Sequence, residues 1–204
     1  TESPAIRESY LQAATFVGRE AEMAQLQKAL SQAQQGQGAV WLVGGESGVG
    51  KSRLIEEFRV QALVSGWQVM TGQAVAEGGF PYQLWREIVP HLVLNCELSD
   101  LEAGVLRQIA PIIDQLLPRE IPEPPELSGP AAQQRLILTF VDILKRQTQP
   151  TLLLLEDLQW AVESLEPLKQ ILRVLEHLNQ VMVVATYRLD EQPTLLEELP
   201  KSQH

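Results

Sequence analysis

The stretch Gly45-Glu46-Ser47-Gly48-Val49-Gly50-Lys51-Ser52 follows a short apolar run, Ala39 to Val43, and opens a segment with helical spacing. Glycine, four residues, glycine, lysine and serine is the pattern of a phosphate-binding P-loop, and each position has a chemical reason. The glycines let successive backbone N–H groups curl around an anion. The lysine reaches the β and γ oxygens of a nucleotide, and the serine hydroxyl binds Mg²⁺. A helix that begins at the loop turns its positive end toward the same anion. A Gly-rich strand-to-helix turn of no chemical consequence would share the composition. The strand before the loop and the helix after it, with Leu54, Ile55, Phe58 and Ala62 on one stripe from Lys51 to about Ser65, decide for the P-loop.

Working outward, residues 19 to 33 place Met23, Leu26, Leu30 and Ala33 at spacings of three and four, which predicts an amphipathic helix. Trp67 to Gln73 reads as a second strand. A helix opened by Pro81 carries Leu84, Trp85, Ile88 and Leu92, and one more is expected over Leu101 to Leu117 through Val105, Ile109, Ile112 and Leu116. Five prolines between Pro118 and Pro130 predict an extended loop. The next helix carries Leu136, Ile137, Phe140, Val141 and Leu144, and a later one Leu165, Leu168, Leu172 and Leu175. Thr151 to Leu155 is apolar without alternation, which implies burial on both faces in a parallel sheet, and Val181 to Thr186 is a further strand. Strands separated by helices predict a doubly wound α/β domain with a mainly parallel central sheet in a three-layer sandwich.

A P-loop needs carboxylates for its metal, and Glu156-Asp157 ends the most apolar strand. By position Glu156 is the metal-side group and Asp157 the catalytic-side group, although the strand register could exchange them. The expected metal set is Ser52, Glu156 and Asp157. Arg188 ends the next strand, where an always-charged fork suits a γ-phosphate, and Thr186 is the competing polar candidate. His91, His177 and His204 stand far apart with no nucleophile motif beside them.

The chain has 204 residues, 45% hydrophobic and 21% charged, with a formal net charge of −10. That acidity argues against direct binding of nucleic acid or anionic membrane by this segment, since such binding needs basic side chains to neutralise phosphates. Cys96 is the single cysteine, so the chain can form no internal disulfide. With no apolar leader and no stretch of about 18 apolar residues, a cytoplasmic location is expected.

Four motifs in order, Phe16-Val17-Gly18-Arg19-Glu20, the P-loop ending Gly50-Lys51-Ser52-Arg53-Leu54, Leu155-Glu156-Asp157-Leu158-Gln159-Trp160-Ala161 and Ala185-Thr186-Tyr187-Arg188, resemble the AAA-like ATPase domains of the signal-transduction ATPases with numerous domains. The resemblance runs from about Phe16 to Glu191. It implies binding of ATP or ADP with Mg²⁺ at Gly45 to Arg53, with Val17, Gly18 and Arg19 near the adenine, and Glu156, Asp157 and Arg188 as catalytic residues. Arg188 would sense the γ-phosphate. It also implies that the strand ending at Arg188 lies between the P-loop strand and the strand ending at Glu156. The expected organisation is an N-terminal extension, residues 1–15, and a nucleotide-binding domain, 16–204, with a helical insertion at about 82–146 and truncation before a lid domain.

Two departures from the family pattern matter. Glu156 stands where the family has aspartate, one methylene longer, and Val162 stands where an acid usually follows Trp160-Ala161. The expected function is a nucleotide-dependent switch, slowly hydrolysing, inside a larger regulatory protein. Its partners are nucleotide, other domains of the same protein and a nucleotide-dependent homo-oligomer. A non-hydrolysing scaffold and a DNA-loading relative are the alternatives. A small-molecule kinase is disfavoured by the acidic loop holding Glu120, Glu123 and Glu126.

Overall fold

A computed structural model describes residues 18–77, 79–162, 164–193 and 195–199, so the expectations for residues 1–15, Phe16, Val17 and His204 lie outside the described residues. Four strands, β1 (Ala39–Gly45), β2 (Gln68–Gln73), β3 (Thr151–Glu156) and β4 (Val181–Arg188), form one all-parallel sheet in the order β1-β4-β3-β2. The two interior strands are the two that are buried along almost their whole length. β3 and β4 need apolar side chains on both faces because both faces are covered.

Side chains alternate along a strand, so each interior strand supplies two cores. On one side Leu152, Leu154, Met182 and Val184 pack with Met23, Leu26 and Leu30 of α1 (Glu20–Gln34) and Leu54, Ile55 and Phe58 of α2 (Lys51–Val64). On the other, Leu153, Leu155, Val183 and Ala185 belong to a larger core. It takes in Trp85 and Ile88 of α3 (Gln83–Leu94), Phe140 of α6 (Gly129–Lys145) and Leu168 of α7 (Leu165–Val174). This is the three-layer sandwich expected. The Trp85 indole N–H donates to the Ser164 carbonyl at 2.8 Å and its ring lies 5.0 Å from that of Phe140. The largest side chain of this core therefore has its one polar atom satisfied.

One helix differs from expectation. Instead of a single element over Leu101 to Leu117 there are two, α4 (Asp100–Arg107) and α5 (Ile113–Leu116). Pro111 has no N–H to continue the ladder and disfavours helical geometry at the residue before it, so the chain turns there. The turn shifts the buried face by one residue: Ile113 is fully buried, whereas Ile112 is exposed. α4 begins with a reciprocal cap, Ser99 accepting from the Glu102 N–H while the Glu102 carboxylate accepts from the Ser99 N–H. No helix among the described residues is long and apolar enough to cross a membrane.

β2 and α3 approach so closely that a Cβ on Gly72 would stand 2.1 Å from the Leu84 carbonyl oxygen. Gly72→Ala is expected to destabilise the domain by about 1–3 kcal/mol or more through overpacking, read as a lower denaturant midpoint with unchanged slope. An unchanged midpoint would show that α3 can retreat from the sheet at no cost.

Candidate nucleotide site

In a parallel sheet all strands end at one edge, and the register here aligns those ends. Gly45 pairs with Arg188 across β1 and β4, and Gln73 with Glu156 across β2 and β3. The residues singled out by sequence are thus gathered at the carboxyl edge of the sheet, where ligands bind in such folds.

The loop from Gly45 to Gly50 turns on two glycines in the left-handed region, Gly48 at φ 79° and Gly50 at φ 90°. Side chains rarely adopt that geometry. Gly50 caps α2, and the first helical bond runs from the Leu54 N–H to the Gly50 carbonyl. The N–H groups of Lys51 and Ser52 therefore precede the first intrahelical bond and face the end of the helix that favours an anion. A Cβ added at Gly48 or Gly50 would meet nothing within 4 Å, so it is the left-handed backbone and not lack of space that calls for glycine there. Lys51 crosses the loop, its Nζ donating to the carbonyls of Gly45 and Glu46, both at 2.8 Å. The Arg53 guanidinium pairs with Glu57 at 2.7 Å, one turn along α2.

Gly18 and Arg19 lie immediately before α1. The Gly18 N–H donates to the Glu20 carboxylate and holds it below the usual carboxylate range. Arg19 donates to the Val49 carbonyl at 2.9 Å and pairs with Glu22 at 2.9 Å. The segment ahead of α1 is thereby attached to the P-loop, 30 residues away.

The two carboxylates have different surroundings. Glu156 accepts a hydrogen bond from the Ser52 hydroxyl, and its pKa is raised, first by burial and then by the nearby charges of Asp157, Glu56 and Glu87. Asp157 has left-handed backbone geometry, φ 59°, fixed by its N–H donating to the buried Thr186 hydroxyl at 3.1 Å. Its Oδ2 accepts from Gln73 Nε2 at 3.0 Å and its Oδ1 from Gln159 Nε2 at 3.1 Å, with Arg188 Nε at 3.8 Å from Oδ1. Arg188 also pairs with Glu191 at 2.7 Å, and its guanidinium lies 4.8 Å from the centroid of the Trp160 ring. Thr186 is thus a tie between the ends of β3 and β4, and Trp160 a cation–π floor for Arg188.

Three contributors escaped the sequence reading: Gln73, Gln159 and Glu87, whose carboxylate accepts from the Gln73 N–H at 3.3 Å. Gln159 stood inside a quoted motif, between the acids and the tryptophan. Gln73 and Asp157 are 84 residues apart, and only the adjacency of β2 and β3 makes them neighbours.

The all-parallel sheet with flanking helices and this loop at its carboxyl edge define an α/β fold of the P-loop NTPase kind. The AAA ATPase domain family model matches residues 15–184, and the chain belongs to that family. Membership implies nucleotide binding. Among solved structures, the chain is similar to one of Drosophila ORC bound to DNA, at 18% identity and a TM-score of 0.51, covering 98% of this chain and 43% of that one. It is also similar to the replication initiator DnaA bound to AMPPCP and single-stranded DNA, at 14% identity and a TM-score of 0.41, covering 94% and 44%. A third is Drosophila ORC bound to AT-rich DNA and Cdc6, at 13% identity and a TM-score of 0.42, covering 94% and 53%. The chain spans about half or less of the length of these proteins, and the likeness concerns the fold. No curated protein matches it.

Proposed function

We propose that this domain is an ATP-binding, slowly hydrolysing switch module of a larger regulatory protein. The observation that carries the reading is the convergence, at one sheet edge, of Lys51, the hydrogen-bonded Ser52 and Glu156, Asp157 and Arg188. The N–H groups of Lys51 and Ser52, which stand ahead of the first helical bond of α2, fit phosphate. Lys51 is placed to exchange its two carbonyl partners for β and γ oxygens.

Ser52 and Glu156 fit Mg²⁺: a hydroxyl and a carboxylate already in contact, the carboxylate pKa raised by burial first and by neighbouring negative charge second. Among the described residues no cluster of three or more His, Cys, Asp or Glu side chains could hold a metal alone. That suits an ion which keeps its waters and leans on substrate phosphates. When bound, Mg²⁺ would neutralise charge on the β and γ oxygens. The Ser52 bond supports Glu156 as the metal-side group. Asp157, clamped by Gln73 and Gln159, keeps lone pairs with which to orient and deprotonate an attacking water.

The switching element in this reading is Arg188. Its partners are Asp157, Glu191 and Trp160, and a γ-phosphate that draws the guanidinium away releases all three. Glu191 lies in the turn after β4, where the Gln192 N–H bonds the Arg188 carbonyl at 3.1 Å before α8 (Leu195–Glu198) begins. The movement would pass from there to other domains or to another copy of the chain. Calorimetric titration with ATP tests the reading. Mg²⁺ is expected to tighten binding by about tenfold, roughly 1.4 kcal/mol. Ser52→Ala and Glu156→Gln should each remove that gain while keeping Mg²⁺-free binding. A wild type that binds no ATP in either condition overturns it.

A further inference from the structure

We propose that Gln159 is a positioning residue that couples the Asp157 carboxylate to the Arg188 main chain, making the distinction between ATP and ADP depend on its amide. The inference rests on the reading of Arg188 as the group that meets the γ-phosphate.

Gln159 lies in a single 3₁₀ turn, Leu158–Trp160, that Asp157 opens, and its residue is only 8% exposed. Its Nε2 donates to Asp157 Oδ1 at 3.1 Å, and its Oε1 accepts from the Arg188 N–H at 3.0 Å. A primary amide is a neutral side chain that donates at one end and accepts at the other. Here both ends are used, on the residue that follows β3 and on the last residue of the adjacent β4. The orientation of the amide is therefore fixed by its partners, since a flipped amide would set oxygen against carboxylate and NH₂ against N–H.

Arg188 is thus held twice. Its guanidinium rests on Trp160 and near Asp157, and its main chain hangs from the residue between those two. Any displacement of Asp157 is passed by Gln159 to the Arg188 backbone, and displacement of Arg188 returns by the same route. Burial makes the link stiff, because a buried amide cut off from either partner keeps an unpaired polar atom.

The test measures ATP and ADP affinities of the full-length protein with wild-type sequence, Gln159→Leu, Gln159→Glu, Arg188→Ala and the Gln159→Leu/Arg188→Ala pair. Leucine removes both bonds. Glutamate keeps the shape and the acceptor for the Arg188 N–H but sets a carboxylate against Asp157, so it serves if the leucine variant does not fold. The wild type is expected to prefer ATP. Both Gln159 variants should lose about tenfold or more of that preference with ADP affinity unchanged within about twofold. The double variant should be no worse than Arg188→Ala alone, the signature of two residues acting as one.

The part of the tryptophan emission change on ATP binding that Trp160→Phe removes should also vanish in the Gln159 variants. Unchanged ATP preference in either folded Gln159 variant, or losses at Gln159 and Arg188 that simply multiply, would overturn the coupling alone. A wild type that binds ATP and ADP equally would overturn it together with the sensor role of Arg188, and one that binds neither would overturn the nucleotide reading itself.

Discussion

ATP turnover by residues 1–204 alone is expected to stay below about one per second, because a transition-state arginine is worth about 10³–10⁵ in rate and, among the described residues, the cations at this edge are already engaged. Lys51 spans two carbonyls, Arg19 holds Val49 and Glu22, Arg53 holds Glu57, and Arg188 is shared among Asp157, Glu191 and Trp160. Lys51 and Arg188 can be drawn to phosphates by stronger partners. A further cation to stabilise charge on the transferring group would come from another domain or another copy of the chain. Specific activity that rises with protein concentration would identify a second copy as its source. Asp157→Asn should reduce the remaining rate by about 10²–10⁴, the usual worth of a positioned general base. Glu156→Asp should preserve or raise it, since the shorter carboxylate keeps the charge at the end of β3 and is the residue in the pattern that the sequence resembles. Several turnovers per second from the isolated chain at low concentration would show that its own residues complete the site.

The elements that were legible in sequence are those whose signal is local. The P-loop announces itself by spacing, and β3 by an apolar run without alternation, the pattern of a strand inside a parallel sheet. The place of β4 between β1 and β3 came from the family resemblance and from the need for Arg188 to reach both the phosphates and the carboxylates. The sheet order agrees. The helix over Leu101 to Leu117 was misread because its apolar spacing survives Pro111 on paper. A one-residue turn exchanges Ile112 for Ile113 on the buried face without disturbing the count of apolar residues.

The candidate site was legible in its charges and illegible in its amides. Glu156, Asp157 and Arg188 stand out because an ionised group at the end of an apolar strand needs a partner, and Lys51 by its place in the P-loop spacing. Gln73 and Gln159 carry no such demand. A glutamine at a strand end is ordinary in any soluble protein, and its meaning depends on which strand lies beside it. Trp160 packs against the larger core, and its ring also supports the Arg188 guanidinium. Arg19 likewise serves both as the entry to α1, its carbonyl accepting from the Met23 N–H, and as a brace for the P-loop at Val49.

Lys51→Ala is expected to abolish most of the thermal stabilisation that ATP with Mg²⁺ confers. A ligand that binds only the folded state adds RT ln(1 + [L]/Kd), about 2.7 kcal/mol at a hundredfold excess over Kd. For a domain of this size each kcal/mol moves the midpoint by roughly 2–4 °C, so the wild type should gain about 5–11 °C. Lys51 also closes the free loop through its bonds to Gly45 and Glu46, each worth about 0.5–1.5 kcal/mol. Its removal can therefore lower the midpoint before any nucleotide is added. The quantity to compare is the shift within each protein, measured with and without millimolar ATP and Mg²⁺, and not the midpoint itself. The variant keeps the main-chain N–H groups of residues 51 and 52 and the Ser52–Glu156 pair, so a residual shift of a degree or two is consistent with the assignment. Equal shifts in the two proteins would place the nucleotide away from Gly45 to Ser52, and an unshifted wild type would mean that this loop does not take up ATP.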